Sequence, residues 1–538
     1  MPPDSDIIQH PELIIGVAGP IGVDVDSLTA TLAGALREVG YRSVEIKVTS
    51  EMLRFPADVP KPTPSNFHTE ISYKMDYANA LCRANRDGAA LARIGIAAIK
   101  RERSAIAGGE TVPERIAYIV RQFKRPQEIN LLRKIYGKQF ILVSSYGPVE
   151  ERKKLLEEKL KRSLPTRTPE YEISQFADQL IHRDANERVG DFGQQLSETF
   201  HLADVFVDGI DRIAMNAKIG RFIDALFGRN DIAPSKHEYG MYAAKSASLR
   251  SSDLSRQVGA AIFSDQGELV TQGCNEVPKA LGGTYWDLEE PDWRDVRLRQ
   301  DPNDIAKKEI VRDLFERLIE AGWLSNVATK HGSASQIVEA AIQKRSDPGT
   351  LISKSKGPLS DASILDLTEY GRVVHAEMCA ICDAARLGRS LKGGILFCTT
   401  FPCHNCTKHI IASGIRMVIY MEPYPKSRAK QLHEHEIEIE KVDDKKVSFV
   451  PFLGISPLRY RDIFQKGRRK GASGSAQHWY AGEPRPVIDI LYPYYTSVEE
   501  QEIARLFERK EALFADLDDQ NPRQDGEPND LDPNGRKK

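Results

Sequence analysis

The residues with the clearest chemical potential lie in two short stretches of the second half of the chain. His375-Ala376-Glu377 is followed, after a β-prone run, by Pro402-Cys403-His404-Asn405-Cys406. One imidazole and two thiolates can bind tetrahedral zinc and leave its fourth position open for water. Because Pro402 marks a predicted helix start, Cys403 and Cys406 lie on one face of the first turn. The sequence therefore predicts an open zinc site held by His375, Cys403 and Cys406.

Glu377 is the carboxylate closest to this predicted site. It lies two residues after His375, a spacing that does not place both side chains on one helix face. We therefore expect Glu377 beside the water of the metal rather than on the metal. Zinc lowers the pKa of bound water towards neutrality, and a neighbouring carboxylate can pass the proton to a ring nitrogen and then to a leaving amine. Glu377 is the predicted catalytic residue.

The order H-x-E and then P-C-x-x-C is typical of zinc nucleobase deaminases, in which hydroxide attacks C4 of cytosine or C6 of adenine. A second interpretation uses the same cysteines. Cys379 and Cys382, together with Cys403 and Cys406, also fit the spacing of a structural four-cysteine zinc site. The sequence around Cys379 continues a helix, which favours two small core residues over two more ligands.

Composition limits the class of protein. The chain has 538 residues, of which 41% are apolar and 28% charged, which is typical of globular proteins with more than one domain. The 75 basic and 77 acidic residues give a net charge of −2, so no global positive field attracts nucleic acid. Seven cysteines are too few for a disulfide scaffold. Without a long apolar run, the sequence predicts a cytoplasmic protein with no membrane partner.

The elements that position these residues alternate between strands and helices, which predicts an α/β fold with parallel sheets. In a first domain, residues 1–235, strands are expected at 12–18, 43–48, 139–146 and 204–209, and Ser27 is expected to cap the first helix. A second domain, residues 236–470, begins with a predicted hairpin and contains an insertion at 281–370. Further strands are expected at 394–400, 416–421 and 447–453, and the last two are expected to be parallel because a helix connects them. Residues 471–538 form a predicted extension, disordered from about 521.

Three stretches, 256–286, 372–381 and 394–433, resemble deoxycytidylate deaminases in order and character. The whole chain resembles the bacterial antiphage dCTP/dCMP deaminases, which have a P-loop nucleotide-kinase-like domain ahead of the deaminase. That resemblance implies a kinase-like parallel sheet with helices on both faces, followed by a cytidine-deaminase-like α/β/α sandwich. It also implies a homo-oligomer. Some deoxycytidylate deaminases carry a second zinc, but residues 276–374 contain no cysteine and one histidine, His331, so one Zn²⁺ per chain is expected.

The same resemblance implies a reaction and a set of roles. The reaction is hydrolytic deamination of dCTP, dCMP or both to deoxyuridine nucleotides and ammonia, which drains the dCTP pool during phage infection. His375, Cys403 and Cys406 would hold zinc, and Glu377 would carry the proton. Asn275 stands in the place of the family's G-Y-N motif and would contact the deoxyribose, although Cys274 replaces the usual aromatic residue.

The glycine loop after the first strand resembles a phosphate-binding loop but departs from it. Aligned on G-x-x-x-x-G-K-[ST], it has Val25 in place of the lysine and Asp26 in place of the hydroxyl residue. Nucleotide binding by Gly19, Gly22 and Ser27 would therefore depend on backbone amides at the helix start. We expect this domain to be regulatory or a scaffold, with a nucleotide or RNA as a candidate partner, rather than a phosphotransferase.

Two other functions share the zinc motif. A polynucleotide cytidine or adenosine editing deaminase flips a base out of a strand and predicts a basic, aromatic-lined groove, which the near-neutral charge disfavours. A non-catalytic, zinc-stabilised binding module would use the three ligands and would not need Glu377. The sequence leaves the choice between dCMP and dCTP open, because it does not place the phosphate contacts.

Overall fold

The fold is taken from a computed structural model of the chain. The residues that the structure describes are 8–108, 112–187, 192–324, 330, 332–343, 357–467, 469–488, 490 and 492–506. They form two compact units, Met1–Ile232 with Gln465–Lys538, and Ala233–Phe464. Among these residues, no helix combines the length and apolar character that crossing a bilayer requires. The predicted disorder from about 521 lies outside the described residues.

The first unit is built on a parallel sheet. Its strands are β1 (Leu13–Ala18), β2 (Arg42–Lys47), β3 (Ile116–Phe123), β4 (Phe140–Tyr146) and β5 (Val205–Asp208). Within the unit they lie in the order β5-β4-β1-β3-β2, and each neighbouring pair is parallel. All six residues of β1 are buried, as expected for a central parallel strand covered on both faces. The four predicted strands are present, but the prediction omitted β3, which lies between β1 and β2.

Helices connect these strands. They are α1 (Val25–Glu38), α2 (Val48–Glu51), α3 (Phe67–Ala84), α4 (Ala90–Ala107), α5 (Pro126–Tyr136), α6 (Val149–Ser163), α7 (Glu170–Ala185), α8 (Leu196–Thr199) and α9 (Arg212–Leu226). The prediction that Ser27 caps α1 is wrong. The helix begins three residues earlier than that cap implies, and the carboxylate of Asp24 caps it by accepting a hydrogen bond from the backbone N–H of Ser27.

A buried ion network ties the end of the chain to this unit. The guanidinium of Arg103, on α4, lies 2.5 Å from Glu12 Oε1 and 2.6 Å from Glu499 Oε2. Tyr136 donates a hydrogen bond to Glu499 Oε1 at 2.7 Å. The hydrogen bonds that Arg103 donates to Glu499 and Glu12 outweigh the effect of burial and raise the pKa of Arg103, so the cation persists at any physiological pH. One arginine therefore pairs with two buried carboxyl groups that are far apart in the sequence, and burial raises the pKa of one of them, Glu12.

Replacing this shared cation should destabilise the first unit. R103A leaves Glu12 and Glu499 buried without a counter-charge, so we expect the free energy of unfolding to fall by about 3–5 kcal/mol. Urea unfolding followed by circular dichroism measures the change. The matched control is R101A on the same helix, whose side chain is 43% exposed and pairs with Glu51; it should cost less than about 1 kcal/mol. If R103A and R101A lowered the free energy of unfolding equally, Arg103 would not be the stabilising partner of Glu12 and Glu499.

The second unit has a mixed sheet that is mostly parallel. Its strands are β6 (Gly259–Phe263), β7 (Leu269–Cys274), β8 (Ile395–Thr400), β9 (Met417–Glu422), β10 (Ile437–Ile439) and β11 (Val447–Pro451), and a short strand, β12 (Gly454–Ile455), follows. The order is β10-β11-β9-β8-β6-β7. The predicted hairpin is confirmed by the antiparallel pair β6 and β7, and the predicted parallel pair of last strands is confirmed by β9 and β11. Strand β8 also pairs with β9 in parallel.

The helices of this unit are α10 (Lys236–Ser248), α11 (Asp295–Leu298), α12 (Pro302–Glu320), α13 (Ala334–Ile342), α14 (Ala376–Arg386), α15 (His404–Ala412), α16 (Ala429–His433) and α17 (Tyr460–Phe464). Helices α12 and α13 lie within 281–370, the stretch predicted to be an insertion. The helix α14 packs against β7, and α15 follows β8 directly. The H-x-E and P-C-x-x-C motifs therefore lie at the starts of two helices, α14 and α15, of the same unit.

Candidate active site

Two helix starts carry the predicted zinc ligands. His375 immediately precedes α14, and Cys403 immediately precedes α15; both have the extended backbone of an N-cap residue. The Sγ of Cys403 accepts a hydrogen bond from the backbone N–H of Cys406 at 3.5 Å. A side chain at this position lies beside the unpaired amides of the first turn, which favours a thiolate. The local sequence thus fixes the orientation of Cys403 and Cys406 before any metal binds.

The three ligand atoms converge. The Nδ1 of His375 lies 3.4 Å from the Sγ of Cys403 and 3.4 Å from the Sγ of Cys406. All three ligand atoms lie within 4.8 Å of one another, and no other such group of three or more occurs in the described part of the chain. Zinc bond lengths and a tetrahedral angle require N···S separations of about 3.6 Å. The donor set and its spacing therefore fit zinc.

Charge is unevenly shared within this group. A hydrogen bond from Cys406 lowers the pKa of the Cys403 thiol to about 4. The hydrogen bond with Cys403 also raises the pKa of His375 to about 9. By contrast, the same contact with Cys403, together with burial, raises the pKa of Cys406. Cys403 is therefore the more acidic of the two cysteines, and the thiolate is the form of cysteine that binds metal ions.

Glu377 lies next to the predicted ligands but does not belong to the converging group of His375, Cys403 and Cys406. Its side chain is 4% exposed, and its Oε2 lies 3.6 Å from the Sγ of Cys406. Burial raises the pKa of the Glu377 carboxyl. A carboxyl group whose pKa is raised by burial can take up a proton at neutral pH and return it, which is the requirement for acid–base catalysis.

The alternative four-cysteine site does not form. Cys379 is buried and Cys382 is exposed, and neither belongs to the cluster of His375, Cys403 and Cys406. Burial raises the pKa of the Cys379 thiol to about 11, so it remains a neutral core residue. Of the four cysteines with this spacing, Cys403 and Cys406 lie at the start of α15, whereas Cys379 and Cys382 lie within α14.

A close backbone approach positions α14. A Cβ at Gly273, on β7, would lie 2.6 Å from the carbonyl oxygen of Ala376 and 2.6 Å from the nitrogen of Ala380. Nearby, Thr271 donates a hydrogen bond to the carbonyl of Ala380 at 3.0 Å. Glu276 and Val374 form an antiparallel bridge just before His375. The strand therefore holds the helix that carries His375 and Glu377, and only glycine fits at 273.

We expect G273A to displace α14. The added methyl would meet backbone atoms, which cannot move independently, so the free energy of unfolding should fall by about 1–3 kcal/mol and zinc content should fall with it. Thermal unfolding and metal analysis of the purified protein measure both. G34A is the matched control, because a Cβ there meets nothing within 4 Å inside α1; it should be neutral or slightly stabilising. A G273A protein with normal zinc content would refute this role of Gly273.

A cavity of about 230 Å³ opens onto Glu377 and two of the ligands. The residues at its wall that sequence reasoning missed include Asp253, Arg256, Phe401 and Tyr424. Arg256 donates to Glu422 Oε1 at 2.7 Å, and its guanidinium carbon lies 5.2 Å from the centre of the Tyr424 ring. Arg256 and Glu422 are 166 positions apart, so no local pattern could have paired them.

Asn275 lies in the wall of the same cavity and is 6% exposed. Its side-chain oxygen accepts from the N–H of Val258 at 2.7 Å, and its side-chain nitrogen donates to the carbonyl of Arg256 at 2.8 Å. Asn275 therefore fixes the segment that carries Arg256. Its predicted contact with a sugar remains a prediction.

The predicted loop residues Gly19, Gly22 and Ser27 lie in the first unit, between β1 and the first turn of α1. Gly22 has φ +100°, a conformation that favours glycine. The hydroxyl of Ser27 donates to Asp24 Oδ2 at 2.7 Å, so it is engaged within the helix cap. Nucleotide binding by these three residues stays a prediction.

Comparison with known families bears on the second unit. Residues 234–422 match the family described as the cytidine and deoxycytidylate deaminase zinc-binding region. This part of the chain matches a deaminase family. The matched range includes His375, Glu377, Cys403 and Cys406, together with the cavity residues Asp253 and Asn275. The family supports zinc as the metal and deamination of cytidine nucleotides as the activity of such regions.

Similarity to individual proteins is confined to short segments of this chain. The chain is 44% identical over 55 residues to deoxycytidylate deaminase of Enterobacteria phage T2, which is 10% of this chain and 29% of the relative. It is 42% identical over 53 residues to ComE operon protein 2 of Bacillus subtilis, 10% of this chain and 28% of the relative. The chain thus spans less than a third of the length of these relatives. A crystal structure of dCMP deaminase from cyanophage S-TIM5 aligns at 17% identity and TM-score 0.20, covering 41% of this chain and 100% of that chain; it supports no inference about this protein.

Proposed function

We propose that the second unit catalyses zinc-dependent hydrolytic deamination of deoxycytidine nucleotides, dCTP, dCMP or both, to deoxyuridine nucleotides and ammonia. The observation that carries this proposal is the convergence of His375, Cys403 and Cys406 beside a buried carboxylate at one end of a cavity. The match of residues 234–422 to the deaminase zinc-binding region supports it.

The three ligands would hold zinc, which supplies activation of a water molecule when it is bound. The remaining work belongs to Glu377. Its carboxylate takes a proton from the attacking water, donates it to N3 of the cytosine ring as oxygen adds to C4, and transfers a second proton to the exocyclic amine. The C4–N bond then breaks and ammonia leaves, so the product is uracil. Burial of Glu377 excludes solvent from these transfers.

The walls of the cavity would orient the nucleotide. Asn275 and Arg256 lie on one side of it, and Phe401 and Tyr424 contribute aromatic surface. We propose that Asn275 contacts the deoxyribose, because its amide still has hydrogen-bonding capacity beyond the bonds to Val258 and Arg256. Arg256 lines the cavity, and its ion pair with Glu422 fixes the position of its guanidinium.

E377Q tests the proposed chemistry. The amide keeps the size of the side chain but cannot carry a proton between water and the base, so deamination of dCMP and dCTP should fall by at least about 10²–10⁴-fold. Zinc content should remain normal. Uracil formation is measured with deoxycytidine, dCMP, dCTP, CTP and a cytosine-containing oligonucleotide as separate substrates. Activity of the wild type on the oligonucleotide alone would favour an editing deaminase, and no activity on any substrate would favour a binding module.

The ligand set is tested by zinc analysis. C403A and C406A should each lose zinc, because the ion is then left with two protein ligands. C382A is the matched control, since Cys382 is exposed and lies outside the cluster; it should retain one zinc per chain. Zinc loss in the control would instead indicate the four-cysteine site.

We further propose that the first unit is a degenerate P-loop nucleotide-kinase-like domain and that the whole protein limits dCTP during phage infection. A parallel sheet with β1 at its centre and a glycine loop leading into α1 supports the first statement. Measuring deoxynucleotide pools in infected cells that express wild type or E377Q tests the second. A dCTP pool that falls equally with both proteins would refute it.

A further inference from the structure

The segment 251–258 forms one wall of the cavity that opens onto Glu377. It precedes β6 and has neither helical nor strand structure of its own. Its position must therefore be set by contacts with other elements, because no ladder or helix of backbone hydrogen bonds fixes it. Four of its residues line the cavity: Asp253, Ser255, Arg256 and Val258.

Two consecutive residues after β7 hold this segment at its two ends. The side chain of Asn275 binds the backbone at the carboxyl-terminal end, as described above. At the amino-terminal end, Oε2 of Glu276 accepts a hydrogen bond from the backbone N–H of Ser252 at 2.9 Å and a second from its hydroxyl at 2.7 Å. The hydroxyl of Ser251 donates to the carbonyl of Asn275 at 2.7 Å. The side chain of Glu276 is therefore the anchor of the amino-terminal end.

The backbone of Glu276 holds the opposite side of the cavity. Its N–H donates to the carbonyl of Val374 at 3.2 Å, and the N–H of Val374 donates back to the carbonyl of Glu276 at 3.0 Å. Val374 immediately precedes His375, and α14, which carries Glu377, begins at the next residue. One residue thus contacts both the segment 251–258 and the strand-like approach to α14.

The surroundings of Glu276 are those of a hydrogen-bond acceptor inside the protein. It is 1% exposed and is not among the described residues that line the cavity. Its Oε1 accepts from the backbone N–H of Val277 at 2.9 Å, so both carboxylate oxygens are used. The hydrogen bond to Asp292, with a smaller contribution from the charge of Glu276, raises the pKa of Arg294, so a positive charge lies near the carboxylate. A buried carboxylate requires such partners.

We propose that Glu276 is a positioning residue, which acts through Ser252 to hold the cavity wall 251–258 in place opposite His375 and Glu377. The inference rests on the proposed function, since this wall is expected to bind the nucleotide. Loss of the acceptor should weaken binding and leave the chemical step intact, because Gly273 and the backbone bridge still hold α14. A raised KM with an unchanged kcat is the signature of an interaction made equally with substrate and transition state.

Two substitutions of similar size test this role by steady-state kinetics. E276M has no side-chain oxygen, so the buried N–H and hydroxyl of Ser252 lose their acceptor, and KM for dCMP and dCTP should rise by at least about tenfold. Its kcat should stay within about threefold of the wild type. E276Q keeps one oxygen that can accept both donors of Ser252, so its KM should stay within about threefold of the wild type. An equal rise of KM in E276M and E276Q would overturn the inference.

E238M is the matched control for a general loss of stability. Glu238 is also 1% exposed in the same unit, and its carboxylate accepts hydrogen bonds from the backbone N–H groups of Ser235 and Ile455. It lies on α10 and is not among the described residues that line the cavity. E238M should therefore lower the midpoint of thermal unfolding as E276M does, but leave KM unchanged. A KM that rises as much in E238M would show that KM follows stability, and the role of Glu276 would be refuted.

Hydrogen exchange of the full chain, followed by mass spectrometry, gives a readout that does not depend on turnover. In E276M the amides of 251–258 should exchange at least about tenfold faster than in the wild type, whereas those of α15 should be unchanged. If E276M fails to fold, S252A replaces it, because it removes one donor to Glu276; both KM and the exchange rate should then rise by a smaller factor.

The kinetic and exchange results separate the two claims. A wild type that converts none of the nucleotides would overturn the proposed function. An active wild type, with unchanged KM and unchanged exchange of 251–258 in E276M or its replacement S252A, would overturn only the role given to Glu276.

Discussion

The convergence of three ligand atoms depends on two helices that begin close together. His375 and Cys403 both occupy the residue before a helix, where the backbone is still extended and the side chain lies beside the first turn. Cys406 then follows one turn into α15. Cys403 and Cys406 lie 28 and 31 positions after His375 in the sequence, yet the Sγ atom of each lies 3.4 Å from the Nδ1 of His375. The sheet positions both helices, because α14 packs closely against Gly273 of β7 and α15 directly follows β8.

Local patterns in the sequence predicted the parts of the site whose geometry is itself local. The pair Cys403 and Cys406 and the offset between His375 and Glu377 depend only on helix periodicity, and the structure places them as that periodicity requires. Contacts across long separations were not predictable in this way. Arg256 meets Glu422 across 166 positions, and Asp184 meets Ile21 across 163. A single sequence contains no periodic signal for such pairs.

Two errors in the fold have identifiable physical causes. The strand β3 was omitted from the prediction; in the structure its Arg121 pairs with Asp26 and Glu45, which lie on other elements. The cap of α1 was assigned to Ser27, whereas the carboxylate of Asp24 takes that position. In both cases the partner of a charged side chain decided the structure: Asp26 and Glu45 pair with Arg121, and the backbone N–H of Ser27 binds Asp24. The type of the residue alone does not identify such partners.

The ion network of Arg103 has a consequence for how the polypeptide is synthesised. Glu12 emerges early from the ribosome, but Glu499 emerges only after all of Ala233–Phe464 has been translated. The second unit is therefore a continuous stretch that can complete its fold during elongation, as domains generally do. The first unit, although its sheet is made first, acquires the buried carboxylate of Glu499 only after the second unit has been translated, so a ribosome that stops within the second unit leaves the first unit unfinished rather than merely shortened.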